Sequence, residues 1–307
     1  MWLYIVRRLL ALIPLIWAII TFTFLALHMT PGDPVTEMIE EIQPGPEMEQ
    51  MLRERFGLDQ PLHVQYFRYL TGVIRGDLGR SITTQAPVMD EIILRFPSTL
   101  QLAFAGMGVA IVIGLVFGII AAVTRVPGAG FGIMVGALVG ISMPNFWLGL
   151  MLILFLGVGL GWFPVLGGSG VHALVLPAIT LGVSSGAVLA RLTRSSMLEI
   201  IRQDYIRTAL AKGLREQVVI YRHALRNALI PIVTVMGIQF GNLLGGTVII
   251  ESVFARAGVG RVAIDAIQQR DIPLVLGVVI FFAVIYVLTN LLVDISYGFL
   301  DPRIRYE

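Results

Sequence analysis

The sequence predicts an all-α membrane protein with six transmembrane helices and both termini on the cytoplasmic side. Three observations predict this. Only 14% of the 307 residues are charged, 56% are hydrophobic and the mean hydropathy is +0.84. A soluble domain carries about 25% charged residues, so this chain has too few to cover a water-facing surface of its size. Apolar runs free of Asp, Glu, Lys and Arg recur at membrane-crossing length, and basic residues gather on alternate connections.

A helix needs about 20 apolar residues to cross the hydrocarbon core. The first run, 9–27, follows Arg7 and Arg8. It is longer than the roughly 7–15-residue apolar core of a signal peptide, and Ala26-Leu27-His28 is not an A-x-A cleavage site, so a retained anchor is expected. The second run is 96–124. The stretch 126–190 is also charge-free and is too long for one span. Its middle holds Gly161, Pro164, Gly167, Gly168, Ser169 and Gly170, which are turn formers, so it divides into spans three and four around an uncharged loop, 157–171. Spans five and six are 227–250 and 272–293.

Lys and Arg concentrate on the cytoplasmic side of membrane proteins. With the N-terminus inside, the inner segments hold 13 basic and 6 acidic residues, or +7, and the outer segments hold 9 and 14, or −5. The reverse orientation puts the densest basic loop outside. Because the formal net charge is only +2, divided this way between two sides, no nucleic-acid partner is expected. The expected organisation is a tail and first span over 1–29 and a periplasmic segment with short helices over 30–95. A core over 96–307 follows, with an inner loop, 191–226, and an outer loop, 251–271.

Lipid gives helices no hydrophobic reason to associate, so small residues that let backbones approach mark the contacts. Small residues recur at four-residue spacing: Ala110, Gly114, Gly118 and Ala122; Gly132, Gly136 and Gly140; Gly182, Gly186 and Ala190; Gly237, Gly241 and Gly245. Spans one and six lack such stripes. Spans two to five are therefore expected to form the packed centre, with span one peripheral.

No charged residue falls near the middle of a span, whereas ion-coupled carriers use intramembrane ionisable groups. This disfavours a self-powered secondary carrier or channel. The polar residues at depth are Asn145, Gln239 and Asn242, which either line a translocation path or bond across helix contacts. A P-loop needs G-x-x-x-x-G-K-[ST]. The single lysine, Lys212, stands between Ala211 and Gly213, so ATP hydrolysis by that route is excluded. There is no cysteine, the four His (His28, His63, His172, His223) are widely spaced, and no nucleophile–base pair appears, so neither an enzyme nor a metal site is expected. A membrane scaffold or sensor is a further alternative.

The inner loop reads as a helix over 197–212, with Ile206, Ala209 and Leu210 on one face and Gly213 as its C′ terminator, then a second helical stretch over 214–225. Such a helix–turn–helix with a basic rim suits insertion into a partner's groove. A plain basic loop that fixes topology or touches anionic lipid fits composition equally well.

The stretch Arg207-Thr208-Ala209-Leu210-Ala211-Lys212-Gly213, with His223-Ala224-Leu225-Arg226-Asn227-Ala228-Leu229-Ile230-Pro231 beginning ten residues later, resembles the EAA loop of binding-protein-dependent ABC importer permeases. Ala209, Gly213 and Leu225 match. Arg207 and Thr208 replace Glu and Ala, His223 replaces Ile, and Arg226 replaces Pro, as in the variant of peptide and nickel permeases. The likeness extends to His28-Met29-Thr30-Pro31-Gly32-Asp33-Pro34, Phe56-Gly57-Leu58-Asp59-Gln60-Pro61-Leu62, Gly76-Asp77-Leu78-Gly79 and Pro97-Ser98-Thr99-Leu100. It continues in Glu251-Ser252-Val253-Phe254 with Gly258-Val259-Gly260-Arg261, where Ala257 stands in place of the usual Pro, and in Asp301-Pro302-Arg303-Ile304-Arg305. The chain resembles the first permease subunit of the dipeptide/oligopeptide/nickel group, and the short loop between spans three and four resembles glutathione permeases.

The resemblance implies a type I ABC importer permease (MetI-like) fold in a bacterial or archaeal inner membrane. It implies a second homologous permease, two cytoplasmic ATPase subunits that carry ATP and Mg, and a periplasmic or lipid-anchored solute-binding protein, all in membrane lipid. This chain itself binds no cofactor. It implies coupling to the ATPase through 205–213, with Tyr205, Ile206, Ala209, Leu210, Lys212 and Gly213 in contact and His223 in support. The segment 30–95, with 11 acidic and 6 basic residues and amphipathic stretches such as 48–56, and the loop 251–271 are expected to dock the binding protein near Asp77, Gly258 and Gly260. The implied cargo is di- or oligopeptide, with glutathione, nickel or another small solute as alternatives.

Overall fold

The computed structural model describes residues 2–29, 59–168 and 170–300. The sequence features at 30–58 and 301–307, including the amphipathic stretch 48–56, lie outside the described residues. The described backbone is helical throughout apart from its connections. In chain order the helices are α1 (Trp2–Met29), α2 (Leu62–Ile74), α3 (Val88–Val123), α4 (Ala129–Ser142), α5 (Asn145–Gly159) and α6 (Val171–Ile201). They continue with α7 (Asp204–Ala211), α8 (Glu216–Val253), α9 (Val259–Gln268) and α10 (Ile272–Leu300).

By length and composition α3, α6, α8 and the 272–293 part of α10 can each cross a membrane, and α4 with α5, taken together, is long and apolar enough for a fifth crossing. The apolar part of α1, Leu10–Ala26, is shorter and corresponds to span one. The α4–α5 passage is bent by 101°. The bend follows from Pro144, which pushes its predecessor Met143 into extended backbone (ψ 128) and ends α4 there. Two spans begin before their apolar runs: α8 starts at Glu216, and α3 starts at Val88, with Asp90 and Glu91 in its first turn where carboxylates complement the helix dipole.

The chain forms two compact units. One comprises Phe96–Arg261 with Trp2 and the part of α10 from Tyr286; the other comprises Leu3–Arg95 with Val262–Ile285. In the first, α3 and α6 meet through interleaved small residues. A methyl added to Gly186 comes within 2.8 Å of Ile113 Cβ, and one added to Gly118 within 2.8 Å of the Ala190 carbonyl oxygen. These contacts hold the helices by close packing, which is the attraction available in lipid. Gly237 and Gly241 lie against Val293 and Tyr286 of α10, so span six joins the packed centre despite lacking a stripe of its own. Conversely Gly132, Gly136 and Gly245 face open space. The core of this unit runs through Leu102, Leu181, Leu189, Met197, Ile232 and Ile250.

In the second unit α2 packs on α1. The Phe24 ring meets Tyr66 edge-on at 5.3 Å between centroids, and the Thr21 and Tyr66 hydroxyls are 2.8 Å apart. Several described apolar side chains of α1, among them Leu10, Ile13, Trp17 and Phe22, are exposed. Asp271 is fully buried ahead of α10. It accepts hydrogen bonds from Ser81 Oγ (2.5 Å), Thr83 N (3.1 Å) and Leu274 N (3.2 Å), capping α10 and fastening the 81–84 turn.

Candidate functional site

The inner hairpin differs from a single helix over 197–212. Residues 197–201 are the end of α6; the chain then breaks at Arg202 and Gln203, where Gln203 is extended (φ −70, ψ 148), and restarts as α7 at Asp204. The end of α7 follows the Schellman pattern. The Leu214 N–H donates to the Ala209 carbonyl (3.4 Å) and the Gly213 N–H to the Leu210 carbonyl (2.9 Å), with Gly213 left-handed at φ +80. Any other residue at 213 is strained, which is why the sequence places glycine there.

Ile206, Ala209 and Leu210 do not share one exposed face. Ile206 is 1% exposed and Ala209 is buried beside it in the core of their own unit, whereas Leu210 is 45% exposed. Helical spacing of i, i+3 puts Ile206 and Ala209 inward together. The outward apolar surface is therefore Tyr205, Leu210 and Leu214, with Lys212 exposed beside them. Asn227, which sequence reading passed over, anchors the hairpin. Its Nδ2 donates to the Tyr205 hydroxyl (2.9 Å) and to the His223 carbonyl (3.0 Å). His223 contributes through this carbonyl, within a stretch of α8 (Val219–Ala224) that widens into π-helical turns, a distortion frequent at functional sites. Arg125 and Glu216, 2.5 Å apart, join the 124–128 connection to the start of α8, but both are exposed and such pairs add little stability.

On the outer side, Gly258 and Gly260 are buried rather than surface residues. Both make room for Glu251, which is 0% exposed at the end of α8. Its Oε2 accepts hydrogen bonds from Gly260 N (2.8 Å) and Arg261 N (3.3 Å), the first turn of α9, where the helix dipole favours an acidic group. A methyl on Gly258 collides with the Glu251 carboxyl group, and one on Gly260 with the Val248 backbone. Thr99 Oγ1 accepts from Val259 N (2.9 Å), and Arg256 reaches the Ser98 carbonyl and Gln101 Oε1. Partial burial pulls the Arg256 guanidinium below its ordinary value, and the Glu251 charge opposes that shift. Thus Pro97-Ser98-Thr99 and Glu251 to Arg261 are one clasp.

Asp77 is exposed, and its Oδ1 accepts from Gly79 N (2.9 Å), shaping a turn between the left-handed Gly76 and Gly79. Of the polar residues at depth, Asn242 Nδ2 donates to Gln239 Oε1 (3.1 Å) on an exposed face of α8. Asn145 is half-buried at the start of α5, just after the bend.

Residues 114–306 match the family described as binding-protein-dependent transport system inner membrane component, and residues 1–103 match the N-terminal membrane-component family of the same systems. The chain is 42% identical over 304 residues to the glutathione transport system permease protein GsiC of Escherichia coli O6:H1 and to that of Salmonella paratyphi A, covering 99% of this chain and of each relative. Its fold resembles an inward-facing MetNI methionine ABC transporter chain, with a TM-score of 0.58 at 21% identity over 69% of this chain and 97% of that one. An amino acid ABC transporter solved with histidines gives a TM-score of 0.55 at 17% identity. The chain therefore belongs to the binding-protein-dependent transport system inner membrane components and is an ABC importer permease of the MetI-like type I fold.

Proposed function

We propose that this permease imports a short peptide, with glutathione the leading cargo and di- or oligopeptides next, by alternating access driven by partner ATPases. The observation that carries the cargo is the 42% identity, end to end, with permeases of a glutathione transport system. A second permease completes the passage, two ATPase subunits bind ATP and Mg on the cytoplasmic side, and a solute-binding protein delivers cargo from outside in a bacterial inner membrane.

In this reading α7 is the coupling helix. Tyr205, Leu210, Lys212 and Leu214 enter the ATPase groove. Ile206 and Ala209 key the helix into the permease core, Gly213 stops it, and the Asn227 bridge to Tyr205 and His223 carries its displacement into α8. Gln239 and Asn242, with Asn145, are the polar groups proposed for the path. Asp77 is the proposed docking residue for the binding protein, and Gly258 and Gly260 support that role by shaping the loop around Glu251. The test is uptake into proteoliposomes holding both permeases, both ATPases and the binding protein encoded beside this gene. ATP-dependent uptake of labelled glutathione that needs the binding protein supports the proposal. Uptake without the ATPases refutes the mechanism, and ATP-driven uptake of a non-peptide solute with none of glutathione or dipeptide refutes the cargo.

A further inference from the structure

A cavity of about 310 Å³ opens among α3, α4 and α6, lined by apolar side chains and glycine backbone, among them Phe117, Ile133, Gly136, Val183 and Ala190. A single helical turn is about 5 Å long and about 10 Å across, which is more volume than the cavity offers. A methylene is close in size to a water molecule's share of ~30 Å³, so the space accepts a chain of about ten carbons. A methyl added to Gly132 or Gly136 of α4 meets nothing within 4 Å among the described residues, so these two positions are open.

The cavity has a chemically distinct end. Its lining steps along α6 through Val183, Ala187 and Ala190, and one turn further stands Arg194. Arg194 is half-buried, and its Nε donates to the Ala121 carbonyl (3.2 Å) at the end of α3, one turn beyond Phe117. Arg191 is exposed one turn before it. Among the described residues neither arginine has a carboxylate partner, whereas the neighbouring Arg125 is paired with Glu216. The charge bias makes this end cytoplasmic, the leaflet that carries anionic lipid. A groove lined by apolar residues, with a guanidinium held one helical turn beyond its last α6 lining residue on the cytoplasmic side, matches an amphiphile with a negative head.

We propose that this groove binds an anionic phospholipid of the cytoplasmic leaflet, one acyl chain lying between α3, α4 and α6 and the phosphate meeting Arg194 with Arg191. The guanidinium fork suits phosphate, and its backbone bond to Ala121 holds it in place.

The full-length chain, extracted in detergent and titrated with phosphatidylglycerol or phosphatidylcholine under native mass spectrometry, tests this. Wild type should hold one phosphatidylglycerol in preference to phosphatidylcholine. Arg194→Gln should weaken that adduct about fivefold, Arg194→Lys should keep most of it, and Gly136→Leu, whose side chain enters the empty groove, should abolish it. Circular dichroism identifies any variant that fails to fold, and the Lys variant then carries the comparison. Equal retention of both lipids, or an adduct that survives both Arg194→Gln and Gly136→Leu, overturns the proposal. So does a Gly136→Leu chain that keeps its lipid but no longer assembles with the second permease, because the groove then receives a protein helix.

Discussion

Replacing Glu251 with Ala should destabilise the permease by a margin set by its clasp, and the two glycines beneath it should respond differently. The substitution removes the acceptor of the buried Gly260 N–H, now held at 2.8 Å, and of the part-buried Arg261 N–H at 3.3 Å. An unsatisfied buried donor costs about 1–3 kcal/mol, so the loss from the Gly260 N–H should be about 1–3 kcal/mol, with a smaller addition from the part-buried one. Glu251→Gln keeps an acceptor oxygen of the same reach and should cost about 1–2 kcal/mol, since a charge-assisted bond is roughly twice as strong as a neutral one. Gly258→Ala and Gly260→Ala should each be strongly destabilising alone. The three atoms nearest a methyl at 258 all belong to the Glu251 carboxyl group, whereas the nearest to one at 260 is the Val248 backbone. In a Glu251→Ala background Gly258→Ala should therefore become nearly harmless, a coupling of about 1–3 kcal/mol, while Gly260→Ala keeps its cost. Tryptophan-monitored thermal unfolding of the solubilised complex measures the cycle. A Gly258→Ala penalty that is the same in both backgrounds refutes the clasp.

Ala209→Asp puts a carboxylate into the core beside Ile206, and Gly213→Pro breaks the Schellman end of α7. Both should leave the chain inserted while cutting ATP-dependent uptake at least tenfold, measured as transport per ATP hydrolysed in proteoliposomes. Gly186→Val drives its side chain into Ile113 and the Ala110 backbone, and should lower the melting midpoint by a few degrees or more, as overpacking costs about 1–3 kcal/mol; Gly245→Ala, in open space, should not. Asp271→Ala frees the 81–84 turn, and limited trypsin digestion should then cut at Arg80 many times faster than in wild type.

The membrane passages were legible because crossing lipid imposes a length and excludes charge, and both are visible along a chain. The outer start of α3 was not, since Asp90, Glu91 and Arg95 end the apolar run although the helix begins at Val88. The break before α7 was also hidden. Arg202 and Gln203 are neither Gly nor Pro, and the cue was Asp204, an acid suited to a first turn. Gly213 was legible as a helix stop because its positive φ is a local requirement. Gly258 and Gly260 were not legible as a bed for Glu251, because a tertiary contact leaves no period in the sequence. The small-residue stripes show the same limit. Gly186 and Gly132 sit in identical patterns, yet one meets a neighbouring helix and the other meets nothing.

The coupling assignment of α7 is tested most directly by a single cysteine at Leu210. The chain has no cysteine of its own, so Leu210→Cys supplies its only thiol, and that thiol is exposed. In membranes containing the whole importer, a thiol-reactive crosslinker should join it to the ATPase subunit, while the buried control Ile206→Cys should not react. Labelling of the Leu210 cysteine by an impermeant reagent from the outer side, or the absence of any ATPase adduct in a transport-competent complex, contradicts the account.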